Sequence, residues 1–199
     1  MRYKVKRINA PKEISYKTAK KSTVVLSHIH DVLGAAVCAF SLALIIFTFF
    51  VRLGTVYGHS MQNTLSNGDI ILFSPMIKNI EQGDIVVFEA PDSTFSEPLV
   101  KRVIATEGQT VYIDPDTGIV SVDGKEISEI DYVSNQNDTY TSYFSSPCTV
   151  ESDHIFVLGD NRGNSVDSRH PDIGAVSLDN VIGKVIFRVY PFESAGIIN

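Results

Sequence analysis

Residues 32–51 read VLGAAVCAFSLALIIFTFFV, twenty positions without a charge. Wound as a helix, such a run covers about 30 Å, the thickness of a bilayer's hydrocarbon core. A helix buried in a soluble core would carry a polar stripe, and this run has none. A cleavable leader fits poorly. The preceding segment is thirty residues long, the apolar run exceeds the usual ~7–15 residues, and no small-x-small pair follows promptly. The run predicts one uncleaved transmembrane helix, which divides the chain into a tail (1–31), a span (32–51) and a domain (52–199). The C-terminal Ile197-Ile198 is too short to span again.

Charge gives the span a direction. Residues 1–30 carry eight of the 17 Lys/Arg (Arg2, Lys4, Lys6, Arg7, Lys12, Lys17, Lys20, Lys21) against Glu13 alone, and only Arg52 closely follows the span. Positive flanks stay in the cytoplasm, so the domain is expected on the extracytoplasmic side of the cell membrane. The tail suits anionic headgroups of the lipid bilayer. The rest of the chain is strongly acidic, which argues against a nucleic-acid partner. Cys38 lies in the span and Cys148 in a polar stretch, so a disulfide between them is not expected.

Beyond the span the pattern changes to short runs rich in β-branched and aromatic residues: 69–73, 84–88, 99–105, 110–113, 119–122, 154–158 and 181–189. Asn67-Gly68, Gly83-Asp84, Asp116-Thr117-Gly118 and Asp123-Gly124 punctuate them, the last as the turn of a hairpin over 119–127. The fold class is mostly β: one N-terminal helix, then a barrel- or sandwich-like domain. Residues 134–149 read as an exposed loop, in which Tyr140, Tyr143 and Phe144, with Tyr132 just before it, form either a lid or plain coil.

Three segments depart from ordinary strand-and-turn sequence: Gly58–Leu65 (GHSMQNTL), Val100–Ala105 (VKRVIA) and Leu158–Arg169 (LGDNRGNSVDSR). A serine hydroxyl needs a base to become a nucleophile. A lysine serves only if desolvation lowers its pKa from about 10.4. Val100, Val103 and Ile104 can supply that apolar setting for Lys101, and strand alternation sends Arg102 to the opposite face. Taken alone, Lys101 reads equally as an edge-strand gatekeeper. His59 adjoins Ser60, but neighbours in an extended segment diverge, and His154 and His170 lie far off in sequence. His28-x-His30-Asp31 has too few ligands for a confident metal site.

The three segments resemble, in order and spacing, the signature boxes of the bacterial type I signal peptidases. Ser60–Leu65 matches the family's Ser-Met-x-Pro-Thr-Leu box except at Asn63. Lys101-Arg102-Val103-Ile104 with Gly108 matches its lysine box, and Gly159 through Arg169 its Gly-Asp-Asn-Arg…Asn-Ser-x-Asp-Ser-Arg box. The resemblance implies a membrane-bound serine endopeptidase with Ser60 as nucleophile and Lys101 as general base. It also implies that Ser165 orients the lysine amine, and that Asp160, Arg102, Asp167 and Arg169 form a charged scaffold. Met61 is implied to approach the membrane-facing surface. The backbone N–H of Ser60 is the implied oxyanion donor; a second, hydroxyl donor is missing because Gly58 stands at its position. Ala105, Glu107 and Gly163 also depart from the pattern. Asn63 in place of proline is expected to loosen the turn after the nucleophile.

The implied substrates are signal-peptide-bearing preproteins with small residues at the first and third positions before the cut. The secretion translocon is a further candidate partner, and no metal or organic cofactor is implied. A self-cleaving repressor-type Ser–Lys peptidase would lack the span and carry a DNA-binding segment. An idle relative assisting assembly of a restricted set of exported proteins, such as pilins, would be expected to lose Ser60 or Lys101, and both are present.

Overall fold

A computed structural model describes residues 16–77, 79–91, 94–129, 131–133, 135–139, 143–144 and 146–198. Two compact units emerge, 1–46 and 47–199. The first is dominated by helix α1, Tyr16–Phe50. Its apolar part, Val24–Phe50, is long enough to cross a membrane and buries none of its surface in the protein. The helix begins well before residue 32 because neither proline nor glycine interrupts 16–33, and a nucleated helix propagates until something stops it. Much of the basic tail, residues 1–15, lies outside the described residues.

The second unit is built from twelve strands: β1 (Arg52–Thr55), β2 (Ile70–Ser74), β3 (Ile85–Phe88), β4 (Leu99–Thr106), β5 (Thr110–Ile113), β6 (Val120–Val122), β7 (Lys125–Glu126), β8 (Cys148–Thr149), β9 (His154–Leu158), β10 (Val176–Ser177), β11 (Val181–Tyr190) and β12 (Gly196–Ile197). The seven runs expected from sequence are all strands. Of the five others, β7 is the returning arm of the hairpin expected over 119–127, and β8, β10 and β12 are two residues long, too short to show a period of two. The hairpin over 119–127 forms, with Asp123 and Gly124 both at positive φ (52° and 75°), as a tight two-residue turn demands.

The large sheet runs β1-β2-β11-β3-β4-β9-β10, with β12 added to β11, and the small one runs β7-β6-β5-β8. Among the described residues no ladder joins β1 to β10, so strand pairing does not close the large sheet into a barrel. Register shifts in β11 and β4 mark bulges that bend it. The long strand β11 is the joiner: it pairs with β3 through Val181–Lys184 and with β2 through Lys184–Tyr190.

The core follows the pleat. On β4, Val103 packs with Val86, Phe88 and Val157, whereas Ile104 and Ala105 pack with Val111, Ile113 and Phe156 under the small sheet. A third cluster gathers Val56, Met61, Leu65, Ile71, Phe73, Ile85 and Val87. Met61, implied by the resemblance to approach the membrane-facing surface, is 2% exposed and packs in this cluster, beneath the turn that follows β1. The apolar residues that do face outward lie across the sheet. Leu53, Leu72, Phe187 and Ile197 occupy one cross-strand rung, opposite the face that buries Ile71 and Phe73.

β11 approaches β2 closely at Gly183, where a Cβ would fall 2.7 Å from Ser74 O and 2.9 Å from the Phe73 ring. Neither backbone nor packed ring can give way cheaply. Gly183→Ala should therefore lower the unfolding free energy by about 2 kcal/mol, measured by urea denaturation of the detergent-solubilised chain.

Candidate active site

Ser60 sits on a turn rather than a strand. Val56 ends the β1 path by donating to Asp69 O, and Gly58 reverses the chain at φ 90°, its N–H bound to Asn67 Oδ1 at 2.9 Å. Thr64 N and Leu65 N then close onto Met61 O at 3.0 and 2.8 Å, leaving the Ser60 side chain half-buried at the lip. The third sequence segment grips this turn from behind. Asn161 donates its backbone N–H to Ser60 O and its Nδ2 to His59 O, both at 3.0 Å.

The middle of β4 brings Lys101 to the same place. Its Nζ lies 2.8 Å from Ser60 Oγ and donates to Val100 O at 3.0 Å. The side chain is 3% exposed. Burial lowers the amine's pKa to about 8, against the opposing pull of the Asp167 and Asp160 carboxylates. A neutral amine there can keep one N–H on Val100 O and turn its lone pair toward the serine hydroxyl.

Around this pair lie three buried ion pairs. Arg102 meets Asp160 bidentately, Nε to Oδ1 and Nη2 to Oδ2, each 2.9 Å, and Thr64 adds its hydroxyl to Oδ2 at 2.5 Å. Arg169 forks onto Asp167 with two contacts of 2.7 Å and reaches back to Thr139 O and Arg162 O. Arg162 pairs with Glu129 and donates to Gly159 O at 3.0 Å. All six charged side chains are at most 3% exposed. Three guanidinium groups thus balance three carboxylates, and Lys101 is left as the buried cation without a counter-ion of its own among the described residues. This explains why desolvation outweighs attraction at its amine.

Gly159 is where the loop comes nearest Ser60: a Cβ there would lie 2.5 Å from Ser60 O and would overlap the Ser165 side chain. Only glycine permits that approach. Its N–H is held by Asp167 Oδ2 at 3.0 Å. Ser165 is packed against it, but the contact with the lysine amine implied by the resemblance is not made. Its Oγ is buried and has no hydrogen-bond partner among the described residues, whereas Lys101 Nζ is engaged by Ser60 and Val100.

Asn63 also differs from expectation. Its φ is 91°, a conformation asparagine tolerates and proline cannot reach. Its Nδ2 donates to Tyr132 O at 3.0 Å. The turn is tethered, not loosened. Tyr132 lies with its ring 4.1 Å from the Arg102 guanidinium carbon, and Phe144 packs on the core residue Phe156, so neither reads as a lid. Tyr140 lies outside the described residues. His59 is exposed and His170 pairs with Asp172.

Sequence reasoning missed Glu129, the stacking of Tyr132 on Arg102 and the tether of Asn63. Glu129 stands in sequence near Glu126 and Asp131, and nothing local marks it as the one that meets an arginine 33 positions on.

A groove of about 680 Å³ opens beside the pair, lined by Thr55–Gly58 on one wall and Glu97–Lys101 on the other, with Met61, Ile71, Phe73 and Val87 as its floor. On β4 the pairing with β9 begins only at Arg102, so the β9-facing edge of Leu99–Lys101 has no ladder among the described residues.

A family model described as signal peptidase, peptidase S26, matches residues 29–190. Signal peptidase I of Bacillus amyloliquefaciens is 33% identical over 186 residues, 88% of this chain and 93% of its own. Signal peptidase I T of Bacillus subtilis is 33% identical over 186 residues, 89% and 92% of the two chains. A crystal structure of a signal peptidase I from Enterococcus faecalis, 29% identical, covers 54% of this chain and 97% of its own with a TM-score of 0.42. With a family match across most of its length and relatives that align nearly end to end, this chain belongs to the signal peptidase family, peptidase S26.

Proposed function

We propose that this protein is a membrane-anchored serine endopeptidase that removes N-terminal signal peptides from exported preproteins, with Ser60 as nucleophile and Lys101 as general base. The observation that carries the reading is the 2.8 Å approach of a buried, counter-ion-free amine to the Ser60 hydroxyl. In the neutral form, Lys101 takes the Ser60 proton as Oγ attacks the substrate carbonyl. The resulting ammonium returns that proton to the leaving amine, and an acyl-enzyme remains. Lys101 then deprotonates the water that releases it. The Ser60 N–H is positioned to serve as an oxyanion donor. The ion pairs of Asp160 with Arg102 and Asp167 with Arg169 act as scaffold, and Ser165 supports the Gly159 approach.

An extended peptide can add to the free edge of Leu99–Lys101, hydrogen-bonding as a further strand while alternate side chains enter the groove. The floor formed by Met61, Phe73 and Val87 leaves room for small residues at the first and third positions before the cut. Helix α1 supplies proximity: anchor and signal peptide share one two-dimensional surface. The charge asymmetry orients the catalytic domain to the extracytoplasmic side. The lipid contact assigned to Met61 from sequence passes to the outward rung of Leu53, Leu72, Phe187 and Ile197, on the strands that follow the span. An idle assembly factor is not favoured, since both reacting groups are present and in contact.

Ser60→Ala and Lys101→Ala should each lower cleavage of a signal-peptide-bearing precursor at least about a thousandfold; full processing by either variant would remove its residue from the mechanism. Because the amine must be uncharged to act, kcat/KM should rise with pH through the Lys101 pKa of about 8 and level off above it. The same shift bears on stability. The folded state holds the proton less tightly than the unfolded chain does, so the penalty is full below pH 8 and fades as pH rises toward 10.5. Lys101→Met should accordingly be more stable than the wild type at pH 7 by about 3 kcal/mol, with the gap narrowing above pH 8, as read by chemical denaturation at several pH values.

A further inference from the structure

The turn 129–133 takes no part in the chemistry above, yet its contacts end on every element that carries the chemistry. It is closed by Val133 N and Tyr132 N, which donate to Glu129 O at 2.9 and 3.2 Å. Tyr132 O accepts from Asn63 Nδ2, three residues after the nucleophile. The Tyr132 ring covers the guanidinium of Arg102, the neighbour of Lys101 on β4. Glu129, fully buried, pairs with Arg162, and Arg162 in turn donates to Gly159 O, on the glycine that lies against Ser60 O. One short turn therefore touches the nucleophile's turn, the base's strand and the loop behind both.

The nucleophile's own turn is closed within itself by local bonds of the i→i+3 and i→i+4 kind, and is fastened from outside at His59 O and Ser60 O by Asn161, at the Thr64 hydroxyl by Asp160 and at Thr64 O by Arg188. The Asn63 amide reaches across 69 residues of sequence to a segment fixed by a buried ion pair. It adds a tether between those fastenings and opposes movement that would change the distance from Ser60 Oγ to Lys101 Nζ.

We propose that the turn 129–133 is a positioning clamp for the Ser60–Lys101 pair, acting through the Asn63 amide on one side and the Tyr132–Arg102 stack on the other. The clamp rests on the reading of Ser60 and Lys101 given under Proposed function. Asn63 and Tyr132 touch no reacting atom; they fix where the reacting atoms stand. Displacement of a nucleophile by about an ångström costs on the order of a hundredfold in rate, and loss of one tether allows part of that displacement.

The test uses the full-length protein in detergent and a peptide with small residues at the first and third positions before the cut. Wild type, Ser60→Ala, Asn63→Gly, Tyr132→Leu and the Asn63→Gly/Tyr132→Leu double variant are compared. Glycine adopts φ 91° freely, so a loss in Asn63→Gly reports the missing amide and not backbone strain. Each single variant should lower kcat per active site roughly tenfold, with KM held within about twofold. The acid limb of the pH profile should stay near pH 8, because the burial of Lys101 is untouched. The double variant should lose less than the product of the two single losses, since the Asn63 amide and the Tyr132–Arg102 stack are separate contacts that end on one short turn.

A role in folding alone would instead reduce the fraction of reactive Ser60 and the melting temperature while leaving kcat per active site unchanged, and that result overturns the clamp. So does wild-type kcat in Asn63→Gly, or losses that multiply in the double variant. Should Tyr132→Leu fail to fold, Asn63→Gly decides alone. Cleavage by the wild type with no effect of Asn63→Gly sinks the clamp and leaves the Ser–Lys reading standing. Absence of any cleavage that depends on Ser60 sinks both.

Discussion

The site depends on one uncompensated amine. Six other charges are buried around Lys101, and each is matched: Arg102 by Asp160, Arg162 by Glu129, Arg169 by Asp167. A seventh, carried by Lys101, would have no counter-ion of its own, and burial outweighs the pull of the more distant carboxylates. The acids that would otherwise hold the lysine protonated are thus already saturated, which is the setting that the proposed base requires. Breaking any one pair does more than remove a strut. It leaves a charge buried and unpaired close to the amine, changing the field that sets its proton affinity as well as the fold.

The same pairs decide where the chain can go. Asp160, Arg162, Asp167 and Arg169 lie within ten residues that have almost no regular structure, a 3-10 turn at Arg162–Asn164 being the exception. Guanidinium groups take the place of ladder donors there: Arg162 donates to Gly159 O and Arg169 to Arg162 O, while Arg169 also ties the segment to Thr139 O. The loop is a charged substitute for a strand, stiff enough to press Gly159 against the nucleophile's carbonyl.

Legibility in the sequence was uneven for physical reasons. The apolar run declares itself by twenty positions without a charge, and the seven strands by runs of β-branched and aromatic residues set between turn signals. Ser60 and Lys101 were identifiable because the chemistry limits the residue types, and the ordered boxes point to them; their contact joins positions 41 apart that no local pattern links. The membrane-facing place of Met61 came from the resemblance alone, whereas its 2% exposure is what an apolar residue in such a segment shows by default. Asn63 misled for a subtler reason. Comparison with a family proline suggested a missing constraint, while φ at that position lies on the other side of the Ramachandran map, where the constraint is a side-chain amide and not a ring. Ser165 stands apart: its hydroxyl is buried without a partner among the described residues.

Strand β11 sits between β2 and β3, which do not pair with each other. The turn bearing Ser60 is fastened to the β1–β2 side and Lys101 to the β3–β4 side. Residues 181–190 thus splint the two sides edge to edge, alongside the bridge that Asn161 makes to His59 O and Ser60 O. A slip of this one strand would carry both sides with it, so the spacing between Ser60 and Lys101 is sensitive to a register that neither residue shares.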